Sequence, residues 1–244
     1  MSFASLHQPG KPLILFNIWD AGSARAVEGA GAVALATGSA SVAGANGYAD
    51  GQQMPFGELL AVAARIRAAS DLPLTVDFEA GYADHPEDVA RNALRLHGLG
   101  VAGINLEDGM PPESGIRPAV EMAGLIVAIR RATDLFINAR TDLFLQNPAT
   151  AHAGLMDQAL DRARLYADAG ASGFFAPGLV DPGLIEALCK ASPLPVNIMK
   201  SPAAPAIAEL AALGVARISF GPFPWREAMA ALAASYRDQV LNGG

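Results

Sequence analysis

Two stretches decide the fold, Leu74-Thr-Val-Asp-Phe-Glu-Ala-Gly81 and Ala102-Gly-Ile-Asn-Leu-Glu-Asp108. Each is a short apolar run that finishes in acidic residues, and a helix-forming segment separates the two runs. Short continuous apolar runs are typical of strands that are buried on both faces of a parallel sheet. Both stretches therefore predict βα units whose acidic residues gather at the carboxyl ends of the strands.

The same unit repeats along the whole chain. Predicted strands cover 12–19, 32–37, 74–78, 103–106, 135–140, 173–176, 195–199 and 216–220, and predicted helices cover 23–29, 56–69, 86–99, 118–132, 153–169, 182–191, 204–213 and 225–240. Glycine stands just before several of the strands, where a left-handed helix C-cap favours it. Eight units without a long insertion favour one α/β domain over 1–244, a (β/α)8 barrel of the TIM type, above an open doubly wound sheet.

Composition excludes several classes of protein. With 17 basic and 24 acidic residues the net charge is −7 and no basic run exists, so nucleic acid is not expected as a partner. The first residues lack the features of a signal peptide, and no apolar run is long enough to span a membrane, so we expect a cytoplasmic protein without a membrane partner. A single cysteine, Cys189, excludes an internal disulfide. The segment 29–34 matches GxGxxA, but it closes a helix and opens a strand, which is the wrong context for a nucleotide site.

Acidic residues at two successive strand ends predict a metal site. Asp77 and Glu79 point to the same side because side chains alternate along a strand. Glu107 and Asp108 end the next strand. Converging carboxylates suit a hard divalent cation, although acids at the start of loops are also commonplace. We therefore expect a hard divalent cation to bind among the acids of these two strand ends, Asp77, Glu79, Glu107 and Asp108.

Polar residues at other strand ends are candidates for substrate binding. The turn Thr37-Gly38-Ser39 could bind a carboxylate through amides and a hydroxyl, or be an ordinary turn. Asp50 lies in the following loop, where an aspartate before glycine is also a common turn residue. Arg140 suits recognition of a carboxylate or a developing enolate, with a structural ion pair to Asp142 or to a neighbouring acid as the alternative. Asn197 could donate hydrogen bonds to a ligand or be a core residue.

Six segments, taken together, resemble the isocitrate lyase/phosphoenolpyruvate mutase superfamily. They are Asn17-Ile-Trp-Asp-Ala-Gly22, Thr37-Gly-Ser39 with Asp50, Val76-Asp-Phe-Glu-Ala-Gly-Tyr82, Gly103-Ile-Asn-Leu-Glu-Asp108, Asn138-Ala-Arg-Thr-Asp142 and Pro195-Val-Asn197. They occur in the order of the family and span nearly the whole chain.

The resemblance implies a modified barrel that binds Mg²⁺ and 2-oxo acids. In this family pattern Asp77 approaches the metal, and Glu79 and Glu107 act largely through water. Thr37, Gly38 and Ser39 hold the substrate carboxylate, while Asp50 and Arg140 flank the reacting group as catalytic residues. The resemblance also implies a homo-oligomer, a dimer or a tetramer, in which the last helix can exchange between barrels.

Departures from the family pattern limit the choice of reaction. The loop that carries the Lys-Lys/Arg-Cys-Gly-His motif of isocitrate and methylisocitrate lyases reads 108–118 here and contains no Cys, Lys or His. The Asn-rich stretch of phosphonate mutases is replaced by Gly51-Gln-Gln-Met54, and Glu79 stands where the family usually has aspartate. Glu113 or a water molecule is left to deliver a proton.

These observations give three functional hypotheses. The leading one is a Mg²⁺-dependent lyase or decarboxylase that cleaves a C–C bond of a 2-oxo acid, or of its aldol-type adduct, through an enolate that the metal stabilises. The second is P–C bond chemistry on a phosphonopyruvate-type substrate, as a mutase or hydrolase, with Asp50 as nucleophile or electrostatic partner. The third is a catalytically weak protein that binds 2-oxo acids.

Overall fold

The computed structural model describes residues 2–112 and 114–241, and within these ranges nine strands form one parallel sheet. The strands are β1 Leu13–Leu15, β2 Asn17–Ile18, β3 Leu35–Thr37, β4 Leu74–Asp77, β5 Gly103–Glu107, β6 Phe136–Arg140, β7 Gly173–Phe175, β8 Val196–Met199 and β9 Arg217–Ser219. The helices are α1 Ala21–Gly29, α2 Ser39–Ala45, α3 Phe56–Ala69, α4 Pro86–Gly98, α5 Ala119–Ala132, α6 His152–Asp168, α7 Pro182–Ala191, α8 Ile207–Ala212 and α9 Phe223–Tyr236.

The sheet closes into a barrel, as predicted. β1 and β2 are two halves of one barrel strand, separated only by Phe16. We call each of the eight barrel strands, counted in this way, a stave. β1 pairs with β9 and β2 pairs with β3, so the first stave joins the last stave to the second. Eight staves therefore surround one axis, and the (β/α)8 fold is confirmed.

Three elements differ from the sequence prediction. The first strand, predicted as continuous over 12–19, is interrupted at Phe16. The segment after β3, predicted as a turn, forms the short helix α2, which is too short and too rich in small residues to show a helical period. The last helix, predicted to end at 240, is α-helical only to Tyr236 and continues as one π-helical turn over Arg237–Leu241.

The apolar core lies between the sheet and the surrounding helices. Outward-facing strand residues such as Val76, Ile104 and Ile198 are fully buried against the helices. The alternate residues face the barrel axis, and several of these are polar. The interior of the barrel is therefore less apolar than the layer that surrounds it.

Helix α9 contributes little to the core of its own chain. Pro224 is its only buried residue, whereas Leu232 and Tyr236 are exposed. On the outside of β1, Ile14 and Phe16 are also exposed, at 37% and 42%, and they line an apolar groove of about 770 Å³ beside α1. In the described part of the chain, no helix combines the length and the apolar character that crossing a membrane requires.

Candidate active site

A cavity of about 300 Å³ opens at the carboxyl ends of the strands. It is lined by Asn17, Gly38, Ser39, Ala40, Asp50, Asp77, Asn105, Arg140, Leu145, Phe175, Pro177, Met199, Ser219, Gly221, Pro222, Phe223 and Arg226. Most of these residues end a strand or begin the loop after one, because inward-facing positions of parallel strands converge at this end of the barrel. The cavity is large enough for a small organic acid.

Asp77, the last residue of β4, is held in place from two sides. Its backbone amide donates to Thr37 Oγ1 at 2.9 Å, and its Oδ2 accepts a hydrogen bond from the Ser39 amide at 3.0 Å. Its Oδ1 is buried and has no partner in the described residues. A buried carboxylate oxygen without a partner is costly, so Asp77 is prepared for a donor or a cation.

Glu79 belongs to a tightly bonded cluster with Gln52 and Tyr82. Its Oε2 accepts the Gln52 amide at 2.6 Å, its Oε1 accepts the Tyr82 hydroxyl, and the Tyr82 amide donates to Gln52 Oε1 at 2.6 Å. All three residues have positive φ, between 47° and 57°, a conformation that non-glycine residues rarely adopt. Such strain is concentrated at functional sites, and here the hydrogen bonds of Gln52 hold the loop after α2 against the segment that follows β4.

Burial raises the pKa of Glu79 to about 7. The hydrogen bond from Tyr82 opposes this shift, while the negative charges of Asp77 and Asp50 add to it. An acid in these surroundings is close to half protonated at neutral pH in the absence of a cation.

Arg140 lies between two carboxylates. Its Nη1 is 2.7 Å from Glu107 Oε2, and its Nε and Nη2 donate to the two oxygens of Asp142 at 2.6 and 3.1 Å. Glu107 and Arg140 are register partners on β5 and β6, which explains their contact. Burial opposes the charge of Arg140, but Glu107 and Asp142 outweigh it and raise its guanidinium pKa. Burial and the neighbouring carboxylates also raise the pKa of Glu107.

Asp108 does not join the acidic group, although it follows Glu107 in the sequence. Its side chain is fully buried on the other side of the strand. There it accepts from the Asp142 amide at 2.8 Å and from Arg162 and Tyr166 at 2.9 Å each. Asp108 is thus an anchor for the loop after β6, and alternation along the strand is the reason.

The turn after β3 is largely occupied by bonds within the protein. Thr37 is buried between strands, and its carbonyl accepts from Asn17 Nδ2 at 2.7 Å. Gly38 and Ser39 line the cavity, but the Ser39 amide is engaged by Asp77. Asn197 does not line the cavity; its Oδ1 accepts from the lining residue Ser219 at 3.3 Å. Of the four predicted substrate-binding residues Thr37, Gly38, Ser39 and Asn197, only Gly38 and Ser39 line the cavity.

Asp50 lies at the rim, where it lines both the main cavity and a smaller cleft of about 240 Å³ next to it. The loop after β5 borders this cleft through 109–112, which places it beside Asp50 and Glu107. Glu113, the candidate proton donor of this loop, lies outside the described residues.

The acids fit a metal that is held mainly through one carboxylate. Within 2–112 and 114–241, no three acidic, imidazole or thiol groups converge as a ready-made ligand set. Glu79 and Glu107 are engaged by Tyr82 and Arg140, whereas Asp77 Oδ1 is a fully buried carboxylate oxygen that no described residue bonds. Mg²⁺ commonly retains several waters and takes only one or two protein carboxylates, so this arrangement suits it better than Ca²⁺.

Asn17 and Arg226 are among the cavity residues that were not singled out from the sequence. Asn17 was quoted only as part of a motif, yet its Oδ1 accepts from the amides of Phe220 and Gly221 at 2.7 and 2.9 Å. Arg226, in the first turn of α9, lines the cavity and forms no ion pair with any described residue. Its position after the last strand was the available signal, because loops at this end of a barrel carry ligand contacts.

Fold and cavity together define a β/α-barrel protein with an acidic, arginine-containing pocket at the carboxyl ends of its strands. The chain belongs to the phosphoenolpyruvate phosphomutase family, whose model matches residues 3–240. A 2-methylisocitrate lyase of Escherichia coli (strain K12) is 30% identical over 224 residues, which cover 82% of this chain and 73% of the lyase.

Solved structures agree with this membership. The crystal structure of a proposed phosphonomutase from Burkholderia cenocepacia J2315 is 54% identical, covers 96% of this chain and 97% of its own, and has a TM-score of 0.93. A phosphonopyruvate hydrolase solved with oxalate and Mg²⁺ shares the fold, with a TM-score of 0.87 over 100% of this chain and 89% of its own, at 21% identity. The proteins that this chain resembles thus include a lyase and a phosphonopyruvate hydrolase.

Proposed function

We propose that this protein is a Mg²⁺-dependent lyase or decarboxylase that cleaves a C–C bond of a 2-oxo acid or of its aldol-type adduct. The observation that carries the proposal is Asp77 Oδ1, a buried oxygen without a partner at a cavity that also contains arginine. A cation would neutralise the negative charge of Asp77, and an anionic ligand beside it would pair with the positive charge of the arginine. Mn²⁺ is the alternative metal.

The protein groups have separate tasks in this proposal. Asp77 would hold the metal directly, with Glu79 and Glu107 binding its waters. The bound metal would supply Lewis-acid stabilisation for the negative charge that develops on the 2-oxo oxygen as the bond breaks. Arg140, oriented by Glu107 and Asp142, would face the reacting group with a fixed planar donor set.

Arg226 favours a ligand with a second anionic group. Arg140 already contacts two carboxylates, whereas Arg226 has no acidic partner among the described residues and lines the same cavity. A dicarboxylate such as oxaloacetate or a substituted malate would place one carboxylate near Asp77 and the other towards Arg226.

The second candidate is P–C bond cleavage of a phosphonopyruvate-type substrate. Asp50 at the rim favours it, because a carboxylate there could approach a phosphorus atom bound in the cavity. A 2-oxo acid binding protein with little catalytic power remains the third candidate, since the described part of the 108–118 loop offers no Cys, Lys or His as an acid or base.

The test is a panel of 2-oxo acids, malates and phosphonopyruvate, incubated with Mg²⁺ and read out as released pyruvate, CO₂ or phosphate. We expect turnover of a C–C substrate that is lost with a chelator and in Asp77→Asn, and retained in the exposed control Asp71→Asn. Phosphate release alone would select P–C chemistry, and tight oxalate binding without any turnover would select the binding protein. Full activity of Asp77→Asn would overturn the metal assignment.

We also propose that two chains assemble by exchange of α9. The eighth helix of a barrel normally covers the first stave, but here Ile14 and Phe16 of that stave are exposed. The exposed apolar residues of α9, including Leu232 and Tyr236, match this groove in character. A second copy of α9 in the groove would bury both apolar surfaces.

A further inference from the structure

A layer of polar side chains fills the barrel directly beneath the cavity. It consists of Thr75, Asn105, Asn138, Asn197 and Arg217, none of which is more than 5% exposed. Arg217 Nη2 donates to Asn105 Oδ1 at 3.0 Å. β9 and β5 lie on opposite sides of the eight-stave barrel, so this bond crosses its interior. Barrel interiors are usually filled by branched apolar residues, whereas this layer is polar.

Arg217 is a buried cation without a carboxylate in contact. It is 1% exposed and forms no ion pair within 4.0 Å among the described residues. No residue within 2–112 or 114–241 is hydrogen-bonded to its Nε or Nη1. Burying an unmatched charge is expensive, so a function that uses the charge is the natural explanation.

The charge of Arg217 acts on groups both above and below it. Burial lowers its pKa from 12.5 to about 9, and the charge of Asp77, in the cavity above, opposes this shift. The guanidinium therefore stays protonated at neutral pH. Below it, burial and then the charge of Arg217 lower the pKa of His7 to about 3.

Arg217 also determines how Asn105 faces the cavity. Asn105 Oδ1 accepts from both Arg217 Nη2 and Asn138 Nδ2, the latter at 2.9 Å. Two donors on one oxygen fix the orientation of the amide, since the opposite orientation would bring N–H groups together. Asn105 lines the cavity, and its Nδ2 is bonded to no described residue, so this donor is available to a ligand.

We propose that Arg217 is a positioning residue that favours an anionic ligand over a lone cation in the cavity. It holds the Asn105 amide with a donor towards the ligand, and its unmatched positive charge lies beneath Asp77. The proposal rests on the proposed function, in which a divalent metal and an oxo acid share this cavity. Arg140 is already paired with two carboxylates, so part of the positive charge that favours an anionic ligand comes from Arg217 in the barrel interior.

Opposite effects on cation and anion binding distinguish this role from a structural one. Removal of a positive charge should strengthen binding of a cation and weaken binding of an anion. Loss of structure alone should weaken both. At the effective dielectric of a protein interior, one buried unit charge should change the affinity of a divalent ion in the adjoining cavity by about tenfold or more.

The experiment measures Mn²⁺ binding by electron paramagnetic resonance and oxalate binding at saturating Mn²⁺ by calorimetry, on the full chain. In Arg217→Met we expect the Kd for Mn²⁺ to fall, and the Kd for oxalate to rise, by about tenfold or more in each case. Arg217→Lys keeps the charge but loses the hold on Asn105, so its Mn²⁺ Kd should match the parent and its oxalate Kd should rise a few-fold. Arg130→Met, which removes a half-buried arginine bonded to Gly170 and Ser172, is the control and should change neither.

Each outcome has a definite meaning. If Arg217→Met weakens both ligands or leaves both unchanged, the positioning role is wrong while the proposed function stands. If the parent protein binds neither Mn²⁺ nor oxalate, the proposed function fails, and this inference fails with it. Should Arg217→Met not fold, Arg217→Lys decides, because equal weakening of both ligands in that variant contradicts the proposal.

Discussion

Asn17 links the first strand of the barrel to the second and to the last, and its removal should destabilise the whole domain. It is 4% exposed and bonds three backbone groups: the amides of Phe220 and Gly221 at 2.7 and 2.9 Å, and the carbonyl of Thr37 at 2.7 Å. These groups belong to the segment after the last stave and to the final residue of the second stave. Asn17→Ala leaves all three without a partner.

The size of the effect follows from these three bonds. An unsatisfied buried backbone group costs about 1–3 kcal/mol, and Gly221 borders the cavity, where water can partly replace the lost partner. We therefore expect Asn17→Ala to lower the free energy of unfolding by about 3 kcal/mol. For a chain of this length, that corresponds to a Tm lower by roughly 6–12 °C.

Urea unfolding followed by circular dichroism is the assay, with Asn46→Ala as the matched control. Asn46 is exposed and makes one side-chain bond, to the Val42 carbonyl at 2.8 Å, so its loss should cost about 0.5 kcal/mol or less. Gly38 and Gly221 line the cavity, so oxalate affinity should fall in Asn17→Ala as well. A loss of stability below about 1 kcal/mol would refute the reasoning, because hydration would then replace all three bonds.

Three further predictions concern other parts of the molecule. Because His7 stays neutral in the folded chain but binds a proton below pH 6.5 when unfolded, it should cost about 1.4 kcal/mol of stability per pH unit as pH falls from 6.5 towards 3. Unfolding curves of His7→Phe should lack this contribution, and identical pH dependence in parent and variant would contradict it. Tyr82→Phe removes the hydroxyl donor to Glu79 and should cost about 1–2 kcal/mol in urea unfolding; an unchanged midpoint would show that this bond contributes nothing. Leu232→Asp should convert a dimer or tetramer into monomers in light scattering, whereas equal masses for parent and variant would rule out exchange of α9.

The barrel could be predicted from sequence because its strands are buried on both faces. This burial produces the short apolar runs, and the acids at 77, 79 and 107 interrupt them only at their ends. The periods of the strands and of the longer helices are therefore visible without any structure. The short helix α2 was missed because seven small residues show no period.

Contacts between strands could not be predicted in the same way. The Glu107–Arg140 ion pair depends on the register of β5 and β6. The side chain of Asp108 points the opposite way from that of Glu107 because side chains alternate along the strand. The bond of Arg217 to Asn105 spans 112 positions of the chain and exists only because the barrel closes. A signal for it was present nonetheless, since an arginine stands inside the mainly apolar strand segment 215–220.

The most direct test of the metal site is a crystal grown with Mn²⁺ and oxalate, examined in an anomalous difference map. We expect one strong peak about 2.1 Å from Asp77 Oδ1, with Glu79 and Glu107 reaching it through water. A map at saturating Mn²⁺ with no peak at Asp77, or with a peak bound elsewhere, would contradict a metal-dependent reaction in this cavity.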